Sequence, residues 1–245
     1  AFGVLSIGTA LLIPARAIDN AAARGLQGED TNAAASGLSV LLTCRPLLTL
    51  GIALLAFHLG NAAMLPLAGQ LLSEGKATGA SLYMSACIIA AQLVMIPVAA
   101  LAGTFADRVG RKPIFLIGFA ILPIRGCLYV FSHDPIFIVL VQLLDGIGAG
   151  IFGVLWVTVV ADLTKGTGRY NLALGAIATA QSIGAALSNV AAGYVVHLWS
   201  YDAAFLALAA VALAAFSLFY VTMPETKDAT ETERVRRGMT SVSAI

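Results

Sequence analysis

From Leu47 onward the chain is a series of long apolar stretches separated by short polar hinges. The stretches run from Leu47 to Leu72, Ser81 to Ala106, Pro113 to Phe131, Pro135 to Ala161, Leu172 to Trp199 and Ala203 to Met223. Each approaches or exceeds the roughly 20 apolar residues that span a bilayer as a helix. The hinges are Ser73 to Gly79, Asp107 to Lys112, Ser132 to Asp134, Asp162 to Asn171 and Ser200 to Asp202. Links this short make sequential helices antiparallel. The pattern predicts an all-α membrane protein with a bundle of six transmembrane helices over residues 47–224. An apolar stretch from Phe2 to Ile13 is too short for a full span and reads as the end of a preceding transmembrane helix within residues 1–17; an uncleaved surface helix is the alternative. Residues 18–46, rich in Ala, Gly and Asn with mixed charges, read as a solvated linker, and residues 225–245 as a polar tail.

Composition sharpens this. Of the 245 residues, 59% are hydrophobic and 11% charged, against about 45–50% and 25% in soluble domains. Six or more spans leave no room for a soluble catalytic domain, so an enzyme is not expected. Cys44, Cys87 and Cys127 are odd in number and widely spaced, which suggests neither a disulfide framework nor a metal site. No cofactor, metal or nucleic-acid partner is expected; the bilayer is. The distribution of cations sets the orientation, because Lys and Arg near span ends collect on the cytoplasmic side. Arg16, Arg24, Arg45, Arg108, Arg111, Lys112, Lys165, Arg169, Lys227, Arg234, Arg236 and Arg237 fall on one set of alternate connections and the tail, and only Lys76 on the other. The linker, the Asp107 and Asp162 hinges and the tail are therefore expected to be cytoplasmic, as in a multi-pass protein of the plasma (bacterial inner) membrane.

The Asp107 hinge reads Gly103-Thr-Phe-Ala-Asp107-Arg108-Val-Gly110-Arg111-Lys112. Gly103 would let one helix end approach a neighbour, Gly110 would permit a turn at positive φ, and Asp107 could face the positive end of another helix. The string resembles the loop motif of the major facilitator superfamily, G-x-x-x-D-R-x-G-R-K/R, complete at its defining positions. Two spans precede it after the linker and four follow, so the resemblance implies the C-terminal six-helix half of such a transporter. Met223-Pro224-Glu225-Thr226-Lys227 resembles the P-E-S/T ending after the last helix. By the family's internal repeat, Asp162 and Arg169 resemble an acid and an arginine that form a charge network with the loop motif, which pairs Asp162 with Arg108 or Arg111.

In the fourth span, Gln142-Leu-Leu-Asp145-Gly146-Ile-Gly148-Ala-Gly150 resembles the repeat's R-x-x-Q-G-x-G-A string, with Gln142 where that motif has arginine. Proton-transfer roles proposed for that arginine do not carry over to Gln142. Its glycines suit close helix packing; a phosphate loop would need a preceding strand.

Ionisable residues inside a span mark function or pairing. At 1.5 Å per residue, Arg125 and Asp145 lie roughly 9 and 15 Å from their shared hinge. They form either a structural ion pair or a site for coupling ion or substrate. His58 and Asn61 stand one turn apart with Pro66 beyond; His58 is a packing residue or a titrating substrate ligand. Gln92, Gln142, Gln181 and Asn189 are weaker candidates.

The resemblance implies a secondary transporter working by alternating access, with a small-molecule substrate, a coupling ion such as the proton, and an N-terminal half as partner. Sparse buried charge favours an amphipathic drug or small organic metabolite, moved by efflux or uptake. The alternatives are a non-transporting half or assembly partner, and an integral membrane enzyme, for which His58, His133 and His197 are too dispersed. The orientation is testable in the full-length protein. Lys76→Cys and Asp134→Cys should react with an impermeant thiol reagent from outside, and Arg24→Cys and Lys165→Cys should not; the reverse labelling would sink the assignment.

Overall fold

A computed structural model describes residues 14, 44–74, 79–165 and 167–227. The readings of the opening stretch, of most of the linker, of Lys76 and of the tail past residue 227 lie outside the described residues. Within them the chain is helical: α1 (Arg45–Asn61), α2 (Met64–Glu74), α3 (Ala80–Val109), α4 (Arg111–Leu128), α5 (Pro135–Thr164), α6 (Tyr170–Leu198) and α7 (Tyr201–Thr222). All six expected segments are helices, the first in two pieces. Four rods are long and apolar enough to cross a membrane by length and composition: Arg45–Glu74, Ala80–Val109, Pro135–Thr164 and Tyr201–Thr222. Of the other two, α4 has 18 residues and carries Arg111, Lys112 and Arg125, and α6 intersperses Gln181, Ser182, Ser188 and Asn189 among small apolar residues.

The expected continuous helix from Leu47 to Leu72 is interrupted at Ala62 and Ala63. Pro66 has no N–H to give a carbonyl one turn back, which weakens the ladder at this point. The Ala63 N–H is instead taken by Ser188 Oγ of α6 at 3.0 Å. A buried backbone donor thus keeps a partner across the break.

Helices pack mainly with non-sequential neighbours. The most extensive pairing is α3 with α5, followed by α1 with α6 and α7, and α4 with α5 and α7. Small residues make the closest crossings possible. A Cβ on Gly146 would lie 2.3 Å from the Ala91 carbonyl oxygen, and one on Gly150 2.9 Å from that of Met95, so α5 lies directly on the α3 backbone. Gly184 does the same for α6 on α1, where a Cβ would fall 2.2 Å from the Leu55 carbonyl oxygen. Gly103 differs from expectation: the atom nearest an added Cβ is Val154 Cγ1 at 3.7 Å, an ordinary contact. The centre is aromatic. Phe57 of α1 stacks on Phe152 of α5 at 3.8 Å, and Phe119 of α4 on Phe219 of α7 at 4.7 Å. The α3 side chains Leu82, Ile89, Leu93, Ile96 and Leu101 point outward, as suits a helix facing lipid or another apolar surface.

Helix ends collect on two faces. One holds the α3–α4 turn, where Gly110 has φ +121°, a region only glycine enters readily. Here the first N–H groups of α4 are capped from the far end of the chain: Arg111 and Lys112 N–H donate to Glu225 Oε1 and Oε2 at 2.8 and 3.0 Å. On the other face Tyr201 OH donates to Glu74 at 2.6 Å, and Asp134 caps α5 through the Ile136 and Phe137 N–H groups.

Two outcomes follow for the full-length protein in detergent. Gly146→Ala and Gly184→Ala force a methyl into a backbone carbonyl and should each cost about 1–3 kcal/mol, whereas Gly193→Ala, with nothing within 4 Å, should be neutral; equal losses at the three sites in thermal unfolding would refute the packing. At Glu225, partial burial disfavours the charged carboxylate, but N–H groups of Lys227, Arg111, Lys112 and Thr226 outweigh it and hold the group below its ordinary value of 4.5. A depressed folded-state value adds stability above the unfolded value, lost as pH falls through the folded one. The thermal stability gap between wild type and Glu225→Gln should therefore be steady at neutral pH and close below about pH 4.5; a gap that widens on acidification would contradict the cap.

Candidate functional site

On the face of the Asp107 turn, Arg111 gathers the charges. Its Nη1 pairs with Asp107 Oδ1 one turn back, and its Nε donates to Asp162 Oδ2 of α5 at 3.3 Å. Of the two partners expected for Asp162, the structure uses Arg111. Thr226 Oγ1 also donates to Asp162, at 3.4 Å, and Lys227 Nζ donates to the Arg108 carbonyl at 2.9 Å. Lys112 lies 5.6 Å over the Tyr220 ring, within cation–π range. The Asp107 side chain remains 69% exposed, so most of its surface is free for a further contact. Arg169 does not enter this cluster among the described residues; its Nε is buried without a hydrogen-bond partner.

The second cluster lies inside the bundle. Arg125 of α4 is 2% exposed, and an unpaired guanidinium there would carry a desolvation cost of several kcal/mol. Its Nη1 pairs with Asp145 Oδ1 of α5. Its Nη2 donates to Asn61 Oδ1 and lies 3.4 Å from Met64 Sδ, residues on either side of the α1–α2 break. Asp145 Oδ2 accepts from Gln142 Nε2 at 3.0 Å, and Gln142 Oε1 accepts from Tyr129 OH. A polar chain of Asn61, Arg125, Asp145, Gln142 and Tyr129 therefore crosses three helices in an otherwise apolar interior.

This chain borders a cavity of about 240 Å³ lined by His58, Asn61, Arg125, Asp145, Trp156 and Gln181, with Phe57 and Phe152 on its wall. The Asp145 side chain is 27% exposed and the Arg125 side chain 2%, so the carboxylate is the member of the pair open to the cavity. His58 Nδ1 lies 2.9 Å from the Leu54 carbonyl. A carbonyl only accepts, so that nitrogen carries a proton, and in the neutral ring Nε2 is an acceptor. Gln181 Nε2 is buried with no hydrogen-bond partner, a donor available at the wall.

Of the intramembrane candidates, the structure brings His58, Asn61, Arg125, Asp145 and Gln181 to one cavity and places Gln142 directly behind Asp145. Gln92 is not among them; it lies exposed on α3. Asn189 is also exposed and donates to the Ala185 carbonyl of its own helix. The sequence pointed to none of three further roles: Trp156 lines the cavity, Glu225, noted only as part of the P-E-S/T ending, caps α4, and Tyr129 ends the polar chain. For Tyr129 a signal existed: it follows Arg125 by four residues, one helical turn on the same face.

Comparison of the sequence with known proteins places the chain in a family. The family model described as Major Facilitator Superfamily covers residues 50–244. An uncharacterized MFS-type transporter of Mycobacterium tuberculosis, in two strains, is 51% identical over 227 residues, covering 92% of this chain and 54% of the relative. Multidrug resistance protein 1 of Bacillus subtilis is 27% identical over 188 residues, covering 76% of this chain and 47% of the relative. The chain thus spans about half the length of the curated relatives it matches. With the family model over most of its length, a relative at 51% identity and an all-helical apolar bundle, this chain belongs to the major facilitator superfamily and is a multi-pass integral membrane protein.

Proposed function

We propose that the complete protein is a secondary active transporter working by alternating access, with this chain as its C-terminal six-helix half and an N-terminal half completing the site. The substrate is a small organic solute or drug, and the coupling ion is the proton. The observation that carries this reading is the Arg125–Asp145 pair at a cavity wall with its carboxylate toward the cavity. In a low-dielectric interior the two charges hold each other. When Asp145 takes a proton, Arg125 loses its counter-charge and keeps the neutral contacts with Asn61 and Met64, so one proton changes how α4 and α5 are held together. Proton uptake is thereby linked to a helix contact, as a coupled transporter requires. The similarity to a multidrug resistance protein of Bacillus supports a drug-like solute.

The motif face is assigned to the cytoplasm by its cations. Asp107, largely exposed within this half, is assigned a gating role. It engages a helix end of the other half when the inner gate is closed, and contributes to the conformational equilibrium without touching substrate.

The test is pH-gradient-driven accumulation of an amphipathic fluorescent dye in inverted vesicles carrying the full-length protein. Asp145→Asn should reduce accumulation at least tenfold. In thermal unfolding, Arg125→Met or Asp145→Leu alone should cost about 3 kcal/mol, and the double variant much less. Wild-type accumulation by Asp145→Asn, or single-site costs that simply add, would overturn the reading.

A further inference from the structure

Asp145 is gripped by two arms, only one of which is the ion pair. Arg125 holds Oδ1, and Gln142 Nε2 holds Oδ2 at 3.0 Å. A carboxylate only accepts hydrogen bonds, so Gln142 is useful to it only with the amide N–H end turned inward. Nothing intrinsic to an amide selects that end. The selection comes from Tyr129, whose hydroxyl donates to Gln142 Oε1 and so fixes which end faces Asp145. Both residues are sealed, Tyr129 at 1% and Gln142 at 0% exposure, which leaves no room for solvent to take over the task. Tyr129 is itself held in place. Its ring packs on Phe205 of α7 at 4.8 Å, and its N–H donates to the Arg125 carbonyl at 3.2 Å. One turn at the end of α4 therefore supplies both arms, Arg125 directly and Tyr129 through Gln142.

From this geometry we infer that Tyr129 and Gln142 are positioning residues for Asp145, which keep its carboxyl group aimed at the cavity when Arg125 lets go. The groups around Asp145 are Arg125 and Tyr129 from α4, Gln142 from its own helix, His58 and Asn61 from α1, and Gln181 from α6. Among them Gln142 is the donor on Oδ2. The inference rests on the proposed role of Asp145 as the proton-carrying group. It adds that the second arm is built by a residue that touches neither the carboxylate nor the cavity.

The experiment is infrared spectroscopy of the full-length transporter in lipid vesicles, with proton flux measured by an entrapped pH dye. The carboxylate stretch of Asp145 is assigned by its disappearance in Asp145→Asn. Tyr129→Phe keeps the ring and removes only the hydroxyl; it should move that band in the same direction as Gln142→Leu and slow proton flux roughly two- to tenfold, the range of one lost hydrogen bond. A fluorinated tyrosine at position 129, a stronger donor, should move the band the opposite way, which decides the matter even if Tyr129→Phe folds poorly. Tyr129→Phe placed on Gln142→Leu should have no further effect, because the tyrosine acts through the glutamine. A band unmoved by both changes at position 129, or additive effects of the two substitutions, would overturn the inference. Wild-type proton flux in Asp145→Asn would instead defeat the proposed role of Asp145 and leave the band measurement to decide the positioning.

Discussion

A guanidinium that cannot reach water must be neutralised where it stands, and Arg125 imposes that condition on the middle of this bundle. At 2% exposure it would be among the most costly groups in the molecule if left alone. Three other helices answer it: α5 with Asp145, α1 with Asn61 and α2 with Met64. The break between α1 and α2 falls between these last two residues, and both side chains still reach the one cation.

Close helix packing turns that condition into a defined register. Gly146 follows Asp145 directly, and its lack of a side chain lets α5 rest on the Ala91 carbonyl of α3. With one side of α5 pressed to α3, the carboxylate is presented on another side, toward α4 and the cavity. Gly184 fixes α6 on α1 in the same manner, bringing Gln181 of the preceding turn to the cavity wall. Small residues suit this role in an apolar solvent, where helices gain little from hydrophobicity and much from backbone proximity.

The same helices end in a second charge cluster at the motif face. Glu225, from the segment after α7, caps α4, while Arg111 of that helix reaches Asp162 at the end of α5. The motif turn is thus held from α5 and from the segment after α7, and α4 carries both Arg111 at its start and Arg125 near its end. Pro123 lies inside this helix of 18 residues, between the motif end and Arg125.

The sequence by itself determined the class, the six apolar segments, the loop motif and the isolation of Arg125 and Asp145, because each is a one-dimensional quantity. Apolar run length, hinge composition and a charge inside a span need no partner to be recognised. Even the pairing of Arg125 with Asp145 was legible, since consecutive antiparallel helices place residues near a shared hinge at similar depth. Only the tertiary structure decided which faces meet. Asn61 and Gln142 joined the network and Gln92 did not, although all three are amides in apolar helices, because rotation of each helix about its axis is set by packing with α3, α5 and α6. Gly103 carried no close crossing whereas Gly146 and Gly184 did, for the same reason. Glu225 is the extreme case. It caps Arg111 from more than a hundred residues away, and no local pattern encodes a contact that exists only once α4 and α7 lie side by side.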